Sequence, residues 1–123
     1  IHARMDLVNR TAGAVLLSIH QNYYVREQFR GTQVFFAPNA PGSEALAETI
    51  QNTVIRSLQP DNSRRVKPTE GTVYLLDKAR NTSVMVECGF LSNPDECLLL
   101  QQEEYQTKLA LAIAGGYFAY CRG

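Results

Sequence analysis

The chain has 123 residues, about one domain, and its 45% hydrophobic and 20% charged composition allows a packed core and excludes a disordered tail. Lys and Arg number 12 against 12 Asp and Glu, so no basic excess marks a nucleic-acid surface. No apolar run approaches the length of a membrane span.

The first ten residues, IHARMDLVNR, have neither an apolar signal-peptide core nor an initiator Met, as expected of a piece or a processed chain. Met5 and Val8 recur there at helical spacing, predicting a helix from His2 to about Thr11 that Gly13 ends. AVLLSIH then reads as a central strand buried on both faces. TQVFFA is a second strand, followed by the turn-rich PNAPG. A helix is expected from Ser43, its cap, to about Leu58, with Leu46, Ile50, Val54 and Leu58 along one side. QPDNSRRVKPTEG is polar and reads as a loop long enough to cover something. Arg64, Arg65 and Lys67 within it form a short basic stretch, solvated or touching a phosphate or polymer.

TVYLLD and SVMVE are the third and fourth strand candidates. Asn93 and Pro94 suit the cap and first position of a helix over PDECLLLQ. The last helix is expected from about Glu104 to Cys121, packing through Tyr105, Leu109, Ala112, Ile113, Gly116 and Tyr120, with Gly115 and Gly116 weakening it or letting it approach the sheet. The order predicts an α/β layered domain. Cys88, Cys97 and Cys121 fit neither a zinc knuckle nor a CxxC pair, so buried free thiols are expected, with one disulfide as the alternative.

Two polar residues end apolar strands, His20 and Glu87, where sites of α/β sheets gather. A strand-end His is most often structural, but a carboxylate after VMV asks for a reason. It is held by backbone N–H groups of the turn that follows, or it is catalytic. His2, the other histidine, reads as exposed. No HExxH, GxSxG or glycine-rich phosphate loop occurs. Cys88 adjoins Glu87, but strand alternation points the two to opposite faces. A glycosidase would need a second carboxylate, for which Asp77 is the candidate.

The segments AVLLSIHQN, FRGTQVFF, LAETIQ, VYLLDKARNTSVMVECGFLSNPDE and YQTKLALAIAGGYFAY together resemble the zinc-dependent N-acetylmuramoyl-L-alanine amidases, especially the sporulation-type cell-wall enzymes of endospore formers. SIHxN and VExGFLSN are the specific motifs. The resemblance implies a mixed, mostly parallel six-stranded sheet with helices on both faces, about four strands of it here. It implies cleavage of the amide between N-acetylmuramic acid and L-alanine of peptidoglycan. His20 is then a zinc ligand, Glu87 the catalytic glutamate and Asn22 a residue lining the substrate site.

The family's other two ligands, a His in a DPGHGG-like motif and a Glu, precede the matched region and are absent. His2 cannot replace them, because the resemblance places it on a helix. The 123 residues are therefore expected to be the C-terminal part of one amidase domain, unable to fold alone as a stable monomer. Extracytoplasmic action in the cell envelope or spore compartment is implied, on peptidoglycan, with room for an activating or regulatory protein partner. Two other readings stay open: a truncated or degenerate relative that binds wall glycan or a partner without cleaving, and a carboxypeptidase acting on stem peptides.

Overall fold

The structure is a computed structural model that describes residues 2–71 and 73–123. In chain order the elements are α1 (His2–Arg10), β1 (Leu16–Asn22), β2 (Gln33–Phe36), α2 (Ser43–Leu58), β3 (Lys67–Pro68), α3 (Tyr74–Asp77), β4 (Ser83–Phe90), α4 (Pro94–Leu100) and α5 (Glu103–Arg122). The four strands form one sheet in the order β1-β4-β2-β3. β1 runs parallel to β4 and β2 parallel to β3, while β2 and β4 are antiparallel. The sheet is mixed and mostly parallel, as expected.

β4 is the core strand, and its side chains alternate between two apolar clusters. Val84, Val86 and Cys88 face α2 and α5, joining Leu46, Ile50, Val54, Leu109, Ala112 and Ile113. Met85 points to the other side, against Leu76 of α3 with Ala37, Ala40 and Ala79. Helices therefore cover both faces: the long α2 and α5 on the first, and on the second the single turn of α3, which α1 meets through His2 and Tyr74.

Several expectations need correction. TVYLLD is not a strand: from Tyr74 it forms the turn of α3, Thr72 lying outside the described residues. So short an apolar run cannot be assigned by period. The Asp77 carboxylate settles it, accepting from Thr69 Oγ1 at 2.6 Å and from the Val73 N–H at 3.2 Å. The sheet's remaining strand comes instead from the expected loop. There Lys67 and Pro68 pair with Phe35 and Phe36 at the edge, where a proline's missing N–H costs no ladder bond.

β1 is an edge strand rather than a central one among the described residues, and Ile19 is 52% exposed. Ser43 does not cap α2. Gly42, with φ at 80°, takes that place, and Ser43 Oγ instead accepts the Ser83 N–H at 2.9 Å, tying α2 to the start of β4. β4 does not stop at Glu87 but continues through Phe90. Of the three free cysteines only Cys88 is buried; Cys97 is half-buried and Cys121 exposed.

Other readings hold. Asn93 caps α4, its Oδ1 accepting the Glu96 N–H at 2.9 Å, with Pro94 in the first turn. α5 buries Leu109, Ala112, Ile113 and Gly116, flanked by Tyr105 and Tyr120. The close approach at Gly116 is to α2, not to the sheet: a Cβ there would lie 2.6 Å from Ile50 Cα.

Candidate active site

His20 and Glu87 are brought together by the parallel β1–β4 pairing, in which they are direct Cα partners. Same-face alternation puts Ser18, His20 and Asn22 of β1 on the side of Met85 and Glu87. The pairing slips between His20 and Asn22, so that Asn22 pairs with Phe90. On this face lies a cleft of about 670 Å³, lined by Asn22, Phe35, Lys67, Thr69, Met85 and Glu87 among others.

Glu87 Oε2 is buried and has no hydrogen-bond partner among the described residues. Burial pushes its carboxyl above the ordinary value of 4.5, and the charge of His20 opposes that shift. The alternative in which the following turn holds the carboxylate fails on geometry. The Phe90 N–H donates to Glu96 Oε1 at 2.7 Å, and the Gly31 N–H to both Glu96 oxygens at 3.0 Å. The donors near the end of β4 serve Glu96.

His20 is exposed at the sheet edge, its Nε2 lying 2.7 Å from Ser18 Oγ. Asn22 is anchored at both ends. Its Oδ1 accepts the Tyr23 N–H at 2.8 Å, and its carbonyl accepts the Leu91 N–H at 2.7 Å. Asp77 does not partner Glu87: it sits in α3 with its carboxylate engaged there. His2 is exposed on α1 and meets Tyr74 edge-on at 5.3 Å, so it does not join the site. Cys88 faces the opposite cluster, and burial, with the Glu87 charge adding, raises its thiol to about 11. Such a thiol is a poor nucleophile.

Among the described residues no group of three His, Cys, Asp or Glu could hold a metal ion. One imidazole beside one unpartnered carboxylate fits a single corner of a catalytic zinc site, which takes about three protein ligands.

Sequence reasoning missed Ser18 and Glu96. Ser18 was within reach, since i and i−2 share a strand face. Glu96 was not: as the third residue of α4 it reads as an acidic first turn, yet it is 2% exposed. The basic stretch was half right. Arg65 and Lys67 are exposed, but the Arg64 guanidinium lies 4.7 Å over the Phe90 ring, and its Nε donates to the Arg30 carbonyl at 2.7 Å.

Comparison with known proteins bears on the whole chain. The germination-specific N-acetylmuramoyl-L-alanine amidase of Bacillus subtilis is 32% identical over 120 residues, covering 98% of this chain and 50% of that protein. The chain thus spans about half the length of the curated relatives it resembles. The CwlD amidase of Clostridioides difficile, solved in complex with the GerS lipoprotein, superposes with a TM-score of 0.92 at 36% identity, over 98% of this chain and 61% of that one. AmiC2 of Nostoc punctiforme gives 0.88 at 27%, over 100% and 66%. Residues 1–117 match the family defined as N-acetylmuramoyl-L-alanine amidase. With the sheet, the paired His20 and Glu87 and both specific motifs in place, the chain belongs to the N-acetylmuramoyl-L-alanine amidase family.

Proposed function

We propose that this chain carries the catalytic glutamate of a zinc-dependent amidase that hydrolyses the bond between N-acetylmuramic acid and L-alanine in peptidoglycan. The observation that carries the reading is Glu87 Oε2, buried without a partner beside a cleft, on the strand position paired with His20. Glu87 takes a proton from the attacking water and returns one to the leaving amine of L-alanine. Its placement on the core strand fixes its direction, and Asn22 lines the substrate's path. His20 is the residue of this chain that would hold zinc, the other ligands that such a site takes not being among the described residues. When bound, zinc supplies Lewis-acid chemistry at the scissile carbonyl.

The relative named as germination-specific supports a role in cell-wall or spore-cortex remodelling, outside the cytoplasm. The CwlD–GerS complex supports an activating or regulatory protein partner. A non-catalytic relative that binds wall glycan is the second reading, favoured by the single metal-ligating histidine at the site.

The test is release of new L-alanine amino termini from purified peptidoglycan by the intact protein. Glu87→Gln is expected to lower the rate by about 10²–10⁴-fold, the share typical of a general base, with bound zinc unchanged. His20→Ala is expected to lose zinc as well as activity. Undiminished turnover by Glu87→Gln would refute the role; an intact wild-type protein with neither zinc nor turnover would establish the second reading.

A further inference from the structure

The segment between β1 and β2, residues 23–32, follows Asn22 directly and stands beside the end of β4. It holds Tyr23, Tyr24 and Val25 out in solvent, at 71%, 45% and 82% exposure. Exposed apolar side chains on a free loop would collapse or fray. Here the loop is tied down by the turn after β4 and the start of α4, and at its far end by the segment after α2, where Arg64 Nε donates to the Arg30 carbonyl at 2.7 Å and the Thr32 N–H to Gln59 Oε1 at 2.9 Å. The Tyr24 N–H donates to Ser92 Oγ at 2.9 Å, and Asn93 Nδ2 donates to the Glu27 carbonyl at 2.9 Å. Tyr24 stacks on Phe29 at 4.9 Å, and Phe29 meets Phe90 edge-on.

Glu96 is the most buried charged member of this set. Its carboxylate has no cation in contact among the described residues and instead accepts the N–H groups of Gly31, where the loop ends, and of Phe90, where β4 ends. Two glycines are shaped around it. A Cβ on Gly89 would lie 2.7 Å from Glu96 Cδ, so the strand leaves that space for the carboxylate. Gly31, at φ 100°, adopts the left-handed backbone that brings its N–H to the same oxygens. A charge held by backbone N–H groups of two separate segments is a clasp between them.

We infer that Glu96 is a positioning residue: its carboxylate clasps the residue 23–32 loop to the Glu87-bearing strand and so fixes the course of the loop where it leaves the cleft at Asn22, at the rim on which the glycan substrate rests. The kinetic half of this rests on the amidase reading; the clasp itself does not.

Two measurements on the intact protein test it, with Glu96→Ala and Glu96→Gln compared at equal folded fraction by circular dichroism. The first is tryptic cleavage after Arg26 and Arg30, both exposed in the loop. Cleavage of a closed segment follows the population of its open form, so Glu96→Ala is expected to be cut there about tenfold faster. Glu96→Gln keeps the two contacts of one oxygen and should fall between. The second is the rate against peptidoglycan concentration. A loosened rim raises KM, with kcat falling less, whereas a merely destabilised fold lowers the active fraction and leaves KM alone.

Unchanged cleavage in Glu96→Ala overturns the clasp. Faster cleavage with an unchanged KM overturns its role at the site. If the wild-type protein shows no amidase activity, the amidase reading fails, and the cleavage rates still decide the clasp. Should Glu96→Ala not fold, Glu96→Asp decides in its place, because it keeps the charge but withdraws it by one methylene.

Discussion

Adjacent glycines in α5 should respond to alanine with opposite signs. Gly116 is buried against α2: a Cβ there would sit 2.6 Å from Ile50 Cα, 3.0 Å from Ile50 N and 3.0 Å from the Thr49 carbonyl oxygen. Carbon atoms pack at about 3.5–4.0 Å, so the helices would have to part by about 1 Å. All three obstacles are backbone, which no side-chain rotation relieves. Against backbone such overpacking reaches the upper end of its usual range, about 3 kcal/mol, and the alanine's helix propensity returns about 1 kcal/mol, leaving a net loss of about 2 kcal/mol. At Gly115 the new Cβ would meet only Thr53 Cγ2, at 3.8 Å, an ordinary contact. There the propensity gain of about 1 kcal/mol stands alone. Urea unfolding of the intact protein reads both. With a slope of about 1–3 kcal/mol per molar, the midpoint of Gly115→Ala should rise by about 0.5 M and that of Gly116→Ala should fall by at least as much. A Gly116→Ala protein as stable as wild type would refute the close α2–α5 contact.

Further outcomes follow from single contacts. Asn93→Ala removes the α4 cap and the bond to the Glu27 carbonyl, and should cost about 2 kcal/mol by denaturant titration. Thiol labelling at pH 8 should modify Cys121 first and Cys97 next, and should reach Cys88 only on unfolding, as peptide mapping will show. The Cys88 thiol is raised from 9.0 to about 11, so its contribution to stability is whole below pH 9 and is lost as pH rises toward 11. An alkaline unfolding titration of wild type against Cys88→Ala should show that difference.

How much the sequence could reveal depended on what fixed each element. α2 and α5 were legible because their buried residues recur at helical spacing, and α4 because Asn93 and Pro94 mark its start. β4 was legible as an apolar run, though not its end, because Gly89 looks like a turn and is in fact a place kept for Glu96. β3 was hidden: Lys67 and Pro68 are exposed, and backbone pairing to β2 rather than burial makes them a strand. α3 was misread because its deciding bonds, from Thr69 and Val73 to Asp77, are local polar ones that hydropathy does not carry. The facing of His20 and Glu87 could be drawn from motif resemblance. Their Cα pairing depends on register between strands more than sixty residues apart, which no local pattern encodes.

Glu87 and Glu96 sit nine residues apart, and the fold treats them oppositely. Glu96, the more buried, receives N–H donors from two segments. Glu87 receives none on Oε2, although the Phe90 N–H is only three residues on. The chain therefore has the means to satisfy a buried carboxylate here and leaves this one bare, which lowers stability. The signs can be separated by the same change at both places, in protein freed of metal by chelation. Glu87→Gln removes a charge that burial disfavours and should raise the unfolding free energy, by about 1 kcal/mol at pH 7. Glu96→Gln removes an acceptor in use and should lower it by a similar amount. Because the Glu87 carboxyl is raised in the folded state, its contribution is whole below 4.5 and is lost as pH rises. The advantage of Glu87→Gln should thus be small near pH 4 and grow toward pH 7. Thermal melts at the two pH values decide it. A Glu87→Gln protein less stable than wild type at pH 7 would mean that the carboxylate has a partner in solution, and the case for its being held ready for chemistry would fall with that.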